Sequence, residues 1–110
     1  MRDYHFRERV SFRFLELSES HSLDICNQIE SSSCRKHLEK DCFVGVVPLT
    51  DKSISKIVSF FEEKKLDQND CDIFLSISTE SDSEIWAAPK CVNELLKFID
   101  CEITFSFTSG

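Results

Sequence analysis

Glycine and proline are scarce in this chain, with two residues of each among 110. Gly45 and Gly110 are the only glycines, so the sequence cannot build the glycine-rich loop that cradles nucleotide phosphates. No apolar run approaches the roughly 18 residues that a membrane-spanning helix needs. No apolar stretch that could act as a signal peptide follows Met1. We therefore expect a cytoplasmic protein with no nucleotide cofactor and no membrane association.

Basic residues are absent between Leu66 and Pro89, a stretch that contains six carboxylates. The first 40 residues balance seven acidic against seven basic side chains, so the whole formal charge of −7 arises in residues 41–110. A negative field favours a basic partner and repels nucleic acid and anionic lipid. The predicted partner-binding residues are these carboxylates and the single tryptophan: Asp67, Asp70, Asp72, Glu80, Asp82, Glu84 and Trp86.

Trp86 has two interpretations. Tryptophan is enriched at the hot spots of protein interfaces, and here it follows an acidic loop that could form a rim around it. Alternatively, Trp86 caps the hydrophobic core next to Pro89. The sequence leaves both interpretations open.

The six cysteines carry no export signal with them, and in a reducing cytosol such residues usually behave as small buried hydrophobes. One close pair of possible zinc ligands exists, Cys34 with His37, and Cys26 and Cys42 lie at equal distances on either side of Cys34. Zinc sites usually combine several such close pairs, so this signal is weak. The three histidines do not form a clear thiol-activating pattern with any cysteine. We expect no cofactor and no catalytic residue, and the sequence leaves open whether these four side chains bind a metal.

Apolar periodicity predicts a single α+β domain over residues 1–110, with elements in the order β-α-β-α-β-α-β. Three strands alternate cleanly, which favours a four- or five-stranded mixed or antiparallel sheet with helices packed on one face. In the first strand the alternation breaks at Phe14–Leu15, which predicts a bulge. Arg7, Arg9 and Arg13 form a basic row there, which we interpret as a solvated sheet face.

Three further local predictions can be compared with a structure. Residues 34–40 are ambiguous and favour a helical turn or an ordered loop, and a small extra strand could lie near Trp86. The final strand should bury the side chains at alternate positions, namely Cys101, Ile103, Phe105 and Phe107.

The last third of the chain resembles the small immunity proteins of bacterial toxin–immunity systems, including those of contact-dependent growth inhibition. The likeness rests on four segments and on the opening strand Val10–Phe14, which a helix follows. The four segments are Ile73–Ser78, the break Glu84–Pro89, the helix Val92–Leu96, and Ile103–Phe107. These are patterns rather than signatures, and no binding residue can be transferred position by position.

The resemblance implies a protein that binds one toxin domain stoichiometrically and blocks its active site without turnover. Toxins of these systems are often nucleases, whose surfaces are basic because they hold phosphates. An acidic inhibitor would associate rapidly with such a surface. The alternative is a non-catalytic acidic adaptor or regulatory domain that binds a different protein. An enzyme dependent on cysteine or metal is a third class.

Overall fold

The computed structural model describes residues 6–80 and 86–109. Five strands and three α-helices follow one another as β1 (Phe6–Leu17), α1 (Glu19–Gln28), β2 (Ser33–Lys36), β3 (Phe43–Pro48), α2 (Ile54–Glu63), β4 (Cys71–Thr79), α3 (Lys90–Leu96) and β5 (Glu102–Ser109). A short 3-10 helix, Gln68–Asp70, precedes β4. The predicted α+β class is confirmed.

The sheet is mixed and has the strand order β2-β3-β1-β4-β5. β1 lies in the centre and pairs antiparallel with both β3 and β4, while β2 pairs antiparallel with β3. β5 pairs with β4 in the parallel direction, and α3 forms the connection between them. β2 and β5 are therefore the two edge strands.

All three helices pack on one face of the sheet. Phe12 and Ile73 of the central strands join Ile25 of α1, Phe60 of α2 and Leu95 of α3 in one buried cluster. Phe14 lies edge-on to both Phe12 and Phe60, with ring centroids 4.9 and 5.3 Å apart. The opposite face of the sheet, which we call the open face, carries the side chains that alternate with this core.

The predicted bulge in β1 is confirmed, because the register with β3 shifts between Phe14 and Leu17. The fifth strand, however, is β2, in a region where we expected a helical turn or a loop. Trp86 has no regular secondary structure, and residues 84–85 lie outside the described part of the chain. α1 ends just before β2: Ser31 adopts φ +66°, and the Ser32 hydroxyl donates to the carbonyls of Ile25 and Ile29.

The prediction for β5 is correct in phase but wrong in burial. Ile103, Phe105 and Phe107 are in register with the buried Ile73, Leu75 and Ile77 of β4, so they lie on the helix-facing side. Yet their exposed fractions are 47%, 54% and 42%. The physical reason is position: β5 is an edge strand, and the helix layer covers only its inner side.

Candidate protein-binding surface

Asp72 is buried, with only 4% of its surface exposed. Its two carboxylate oxygens accept hydrogen bonds from Nε and Nη2 of Arg13, at 2.8 and 2.5 Å. The hydroxyl of Thr104 donates to the same carboxylate at 2.6 Å. The carboxylate of Asp72 is therefore fully engaged by its neighbours in the sheet and is not available to a partner. Asp72 is thus removed from the predicted binding residues.

The strand register explains why these three side chains meet. Arg13 and Asp72 lie directly opposite each other in β1 and β4, on the open face. The hydrogen bond to Asp72 raises the pKa of Arg13, and its guanidinium also lies 4.3 Å from the centre of the Phe74 ring. Since Thr104 belongs to β5, one carboxylate links three adjacent strands.

An acidic cluster lies where β1 ends and β4 begins, and it consists of Glu16, Asp67 and Asp70. Lys40 pairs with it, with its Nζ 2.8 Å from a carboxylate oxygen of Glu16, and no other cation does so among the described residues. Asp70 is a neighbour of Glu16, and the interaction between their carboxyl groups is the main reason why the pKa of Asp70 is raised. The pKa of Glu16 is lowered, chiefly because Lys40 donates to it. Three neighbouring carboxylates and one lysine leave a negative surface here.

Sequence reasoning did not include Glu16 in the binding set, because it lies about fifty residues before the acidic stretch. The signal that could have found it is the β1 bulge. The shift of alternation at Phe14–Leu15 determines the side to which the last side chains of β1 point. The antiparallel pairing with β4 then places the end of β1 beside Asp70. Asp67 joins the cluster from the loop, where its carboxylate accepts from the backbone N–H of Asn69 at 2.8 Å.

Trp86 lies at the other end of β4 and is partly buried against the core. Its ring makes an edge contact with Phe105, at 6.1 Å between centroids, and its indole N–H donates to the carboxylate of Glu8. The structure is compatible with Trp86 both as a cap on the core and as a contact residue, because the side chain packs against the core and is still partly exposed. Glu80 is exposed close by, whereas Asp82 and Glu84 lie outside the described residues.

The predicted residues that the structure describes do not form one continuous surface. Asp67 and Asp70 precede β4, whereas Glu80 and Trp86 follow it. Nine residues of strand lie between Asp70 and Glu80, which corresponds to about 30 Å at the usual rise per residue. The Trp86 ring is less distant, because it contacts Phe105, which pairs with Leu75 in the middle of β4. A small partner domain that contacts the acidic cluster would therefore reach Glu80 only by spanning the full length of β4.

The open face has the opposite charge. Arg7, Arg9 and Arg35 are exposed there, and Arg13 is engaged by Asp72. The residues between them are mostly hydroxyl-bearing, as at Ser11. A basic partner would be repelled by this face and attracted to the acidic cluster.

An apolar groove lies between α2 and α3. It encloses about 500 Å³ and is lined by Ile54, Val58 and the 61%-exposed Phe98, with carboxylates of Asp51 and Glu94 at its margin. Lys97 lies 3.3 Å from Glu94 and compensates its charge. The groove therefore keeps one carboxylate, that of Asp51, beyond its lysine, whereas the acidic cluster keeps two.

The cysteines are all free thiols. Burial raises the pKa of Cys34 and of Cys71 to about 12 and that of Cys101 to about 11, so these thiols are protonated at neutral pH and poorly nucleophilic. The Nδ1 atom of His37 accepts from the backbone N–H groups of Glu39 and Lys40. Among the described residues, no three His, Cys, Asp or Glu side chains are grouped so as to hold a metal ion.

No protein-family model, curated protein or solved structure matches this chain. Within residues 6–80 and 86–109, no helix has the length and apolar character required to cross a bilayer.

Proposed function

We propose that this chain is an immunity protein that binds a basic, nuclease-type toxin domain with one-to-one stoichiometry and blocks its active site. The observation that carries the proposal is the acidic cluster of Glu16, Asp67 and Asp70, in which one lysine faces three carboxylates. A surface with more carboxylates than cations is complementary to a site built to hold phosphates. The resemblance to immunity proteins of contact-dependent growth inhibition supports the same class of partner.

Two of the three carboxylates in the cluster already have partners before any protein docks. Glu16 is held by Lys40 at the end of β1, and Asp67 by its hydrogen bond to the backbone of Asn69. Side chains that are already ordered lose less conformational entropy when a partner docks. These carboxylates would take the positions of substrate phosphates and exclude nucleic acid from the toxin.

The charge distribution also gives the complex an orientation. A basic toxin would be repelled by the arginines of the open face and attracted to the acidic cluster, so the protein would approach it with the cluster facing the toxin. Opposite charges raise the association rate of two proteins by orders of magnitude at low salt. Fast capture matters for an inhibitor that acts in the cytoplasm of the producing cell, because each free toxin molecule turns over substrate.

Co-expression tests the proposal directly. Where a neighbouring gene encodes a large secreted protein with a variable C-terminal domain, that domain is expressed in cells with and without this chain. We expect growth to be restored only when this chain is present. Equal killing in both cases would exclude that domain as the target. A chain that binds other basic proteins but protects against no toxin would instead fit an acidic adaptor.

The contribution of the cluster is tested with a charge-matched pair of variants. D67N/D70N removes two charges from the cluster, while the amide that replaces the Asp67 carboxylate keeps an oxygen for the backbone N–H of Asn69. E30Q/E62Q removes the same number of charges from exposed positions near the end of α1 and on α2. We expect protection to be weakened by the first variant and retained by the second. Equal behaviour of the two would show that net charge, rather than this cluster, determines protection.

A further inference from the structure

The outer edge of β5 is unpaired within the described part of the chain. β5 bonds to β4 on one side, and no described strand follows it in the sheet. Its helix-facing side chains, Ile103, Phe105 and Phe107, are each about half exposed. An exposed strand edge beside large apolar side chains is a template for pairing with another strand.

The two edges of the sheet differ in how well they are protected. β2 has four residues, and two of them are the exposed cations Arg35 and Lys36. Short edge strands with positive charges resist pairing. β5 has eight residues, contains no proline or lysine, and carries one charge, Glu102, at its first position. Only the β5 edge is therefore suited to accept a further strand.

The sequence of β5 shows what would pair with it. Thr104-Phe105-Ser106-Phe107-Thr108 reads the same in both directions. Antiparallel pairing with a second copy about Ser106 therefore places each Phe105 opposite the partner copy's Phe107 and each Thr104 opposite its Thr108. Phenylalanine pairs and threonine pairs are both favourable neighbours across antiparallel strands.

We propose that two copies of this chain associate through antiparallel β5–β5 pairing to form a continuous ten-stranded sheet with two-fold symmetry. The half-exposed rings of Phe105 and Phe107 from both copies cover one another on the helix-facing side. The hydroxyls of Thr104, Ser106 and Thr108 meet on the open face. A two-fold axis through Ser106 is the closed arrangement that most homo-oligomers adopt.

Charge opposes this association only weakly at the contact itself. The two Glu102 side chains lie at opposite ends of the paired strands, about 27 Å apart along the strand direction. The net charge of −7 on each copy still gives a long-range repulsion, which salt screens. The dimer is therefore expected to tighten as the salt concentration rises, whereas binding to a basic toxin should weaken. This opposite dependence separates a failure of the dimer from a failure of the proposed function, which it does not require.

Sedimentation of the full chain over a range of protein and salt concentrations tests the proposal. The diagnostic variant is S106K, which places two lysines opposite each other on the two-fold axis. The matched control is S33K, which makes the same change on the open face of the other edge strand. We expect a concentration-dependent dimer for the wild type and for S33K, and a dimer dissociation constant about tenfold or more higher for S106K. A wild type that stays monomeric up to millimolar concentration, or an S106K variant that dimerises as well as S33K, would overturn the proposal.

A second measurement needs no variant. Amide hydrogen exchange of the wild type is compared at low and high protein concentration. Alternate backbone N–H groups of β5 point away from β4, and their exchange should slow at high protein concentration. The exchange rates of the β2 amides should stay the same. Protection that appears at β2, or at neither edge, contradicts the β5 dimer.

Discussion

Arg13 and Asp72 form a two-point ion pair across β1 and β4, with N–O distances of 2.8 and 2.5 Å. The carboxylate is buried, whereas about a fifth of the Arg13 side chain is exposed. Thr104 of β5 completes the arrangement with its hydroxyl. A residue that charge alone assigned to partner binding thus joins three strands of the sheet.

Removal of Arg13 should destabilise the protein strongly. The R13A variant leaves the Asp72 carboxylate buried with one hydrogen bond, from Thr104, and without a counter-charge. Loss of one partner of a buried pair costs about 3–5 kcal/mol, and the partial exposure of Arg13 places the expected loss at the lower end, about 3 kcal/mol. Urea denaturation measures it. The control is R9A, at an exposed arginine on the same strand face, and equal midpoints for the two variants would contradict this role of the pair.

A methyl group at Gly45 should fit only after the Leu17 side chain shifts. A Cβ at this position would lie 2.9 Å from Leu17 Cδ1 and 3.3 Å from Ile25 Cδ1, because α1 packs directly against β3 here. We expect G45A to lose at most about 1 kcal/mol of unfolding free energy, because both contacts are with the ends of flexible side chains and alanine also restricts the unfolded chain. The double variant G45A/L17A should lose less unfolding free energy than the two single variants lose in total, because the added methyl occupies the space that Leu17 leaves. Strict additivity in chemical denaturation would argue against this contact.

D70N should stabilise the protein at neutral pH. The pKa of Asp70 is raised, first by its contact with Glu16 and then by burial, so its ionised form is less favourable in the folded than in the unfolded state. Its charge therefore lowers stability above the unfolded pKa, and the penalty disappears as the pH falls and Asp70 is protonated. Thermal melts of wild type and D70N should differ at pH 7 and converge at acid pH. A wild type that melts above D70N at pH 7 would contradict the predicted repulsion.

Thiol labelling distinguishes structural from reactive cysteines. Cys26 is exposed and should react within the mixing time of a chromogenic disulfide reagent. Cys71 and Cys91 are buried. Burial raises the pKa of both thiols, to about 12 for Cys71. They should therefore react only as fast as the protein opens. Mass spectrometry assigns the labelled sites. If Cys71 were modified as rapidly as Cys26 in the folded protein, its assignment to the core would be wrong.

Local periodicity predicted most of the architecture, because each core-facing stripe is encoded within one segment. Phe12 and Phe14 in β1, Ile73 in β4 and Leu95 in α3 follow their alternation or helical spacing directly. β2 was missed because Ser33–Lys36 has no apolar alternation. Its strand conformation comes from pairing with β3, a contact between separate segments that a local pattern does not contain.

The candidate site was less predictable, because charge in a sequence does not specify which carboxylates are buried. Asp72 differs from Asp70 only in falling within β4, opposite an arginine fifty-nine residues earlier in the chain. Glu16 joins Asp70 through the antiparallel pairing of distant strands. The exposure of Phe105 likewise depends on β5 being at the edge of the sheet, which the order of elements along the chain does not determine.

Salt and substitution together test the electrostatic role of the acidic cluster once a basic partner is in hand. The association rate of the wild type should fall steeply as ionic strength rises, because screening shortens the range of the attraction to about 10 Å at 0.1 M. D67N/D70N should associate more slowly and show a shallower salt dependence than E30Q/E62Q, although the two variants carry the same net charge. Stopped-flow fluorescence measures both rates, with a fluorescent label on the basic partner as the probe.

D70N alone should slow association while raising stability, since the charge that attracts a partner is also the one that repels Glu16 in the free protein. Loss of binding that accompanied loss of stability in this variant would instead indicate a structural role for Asp70.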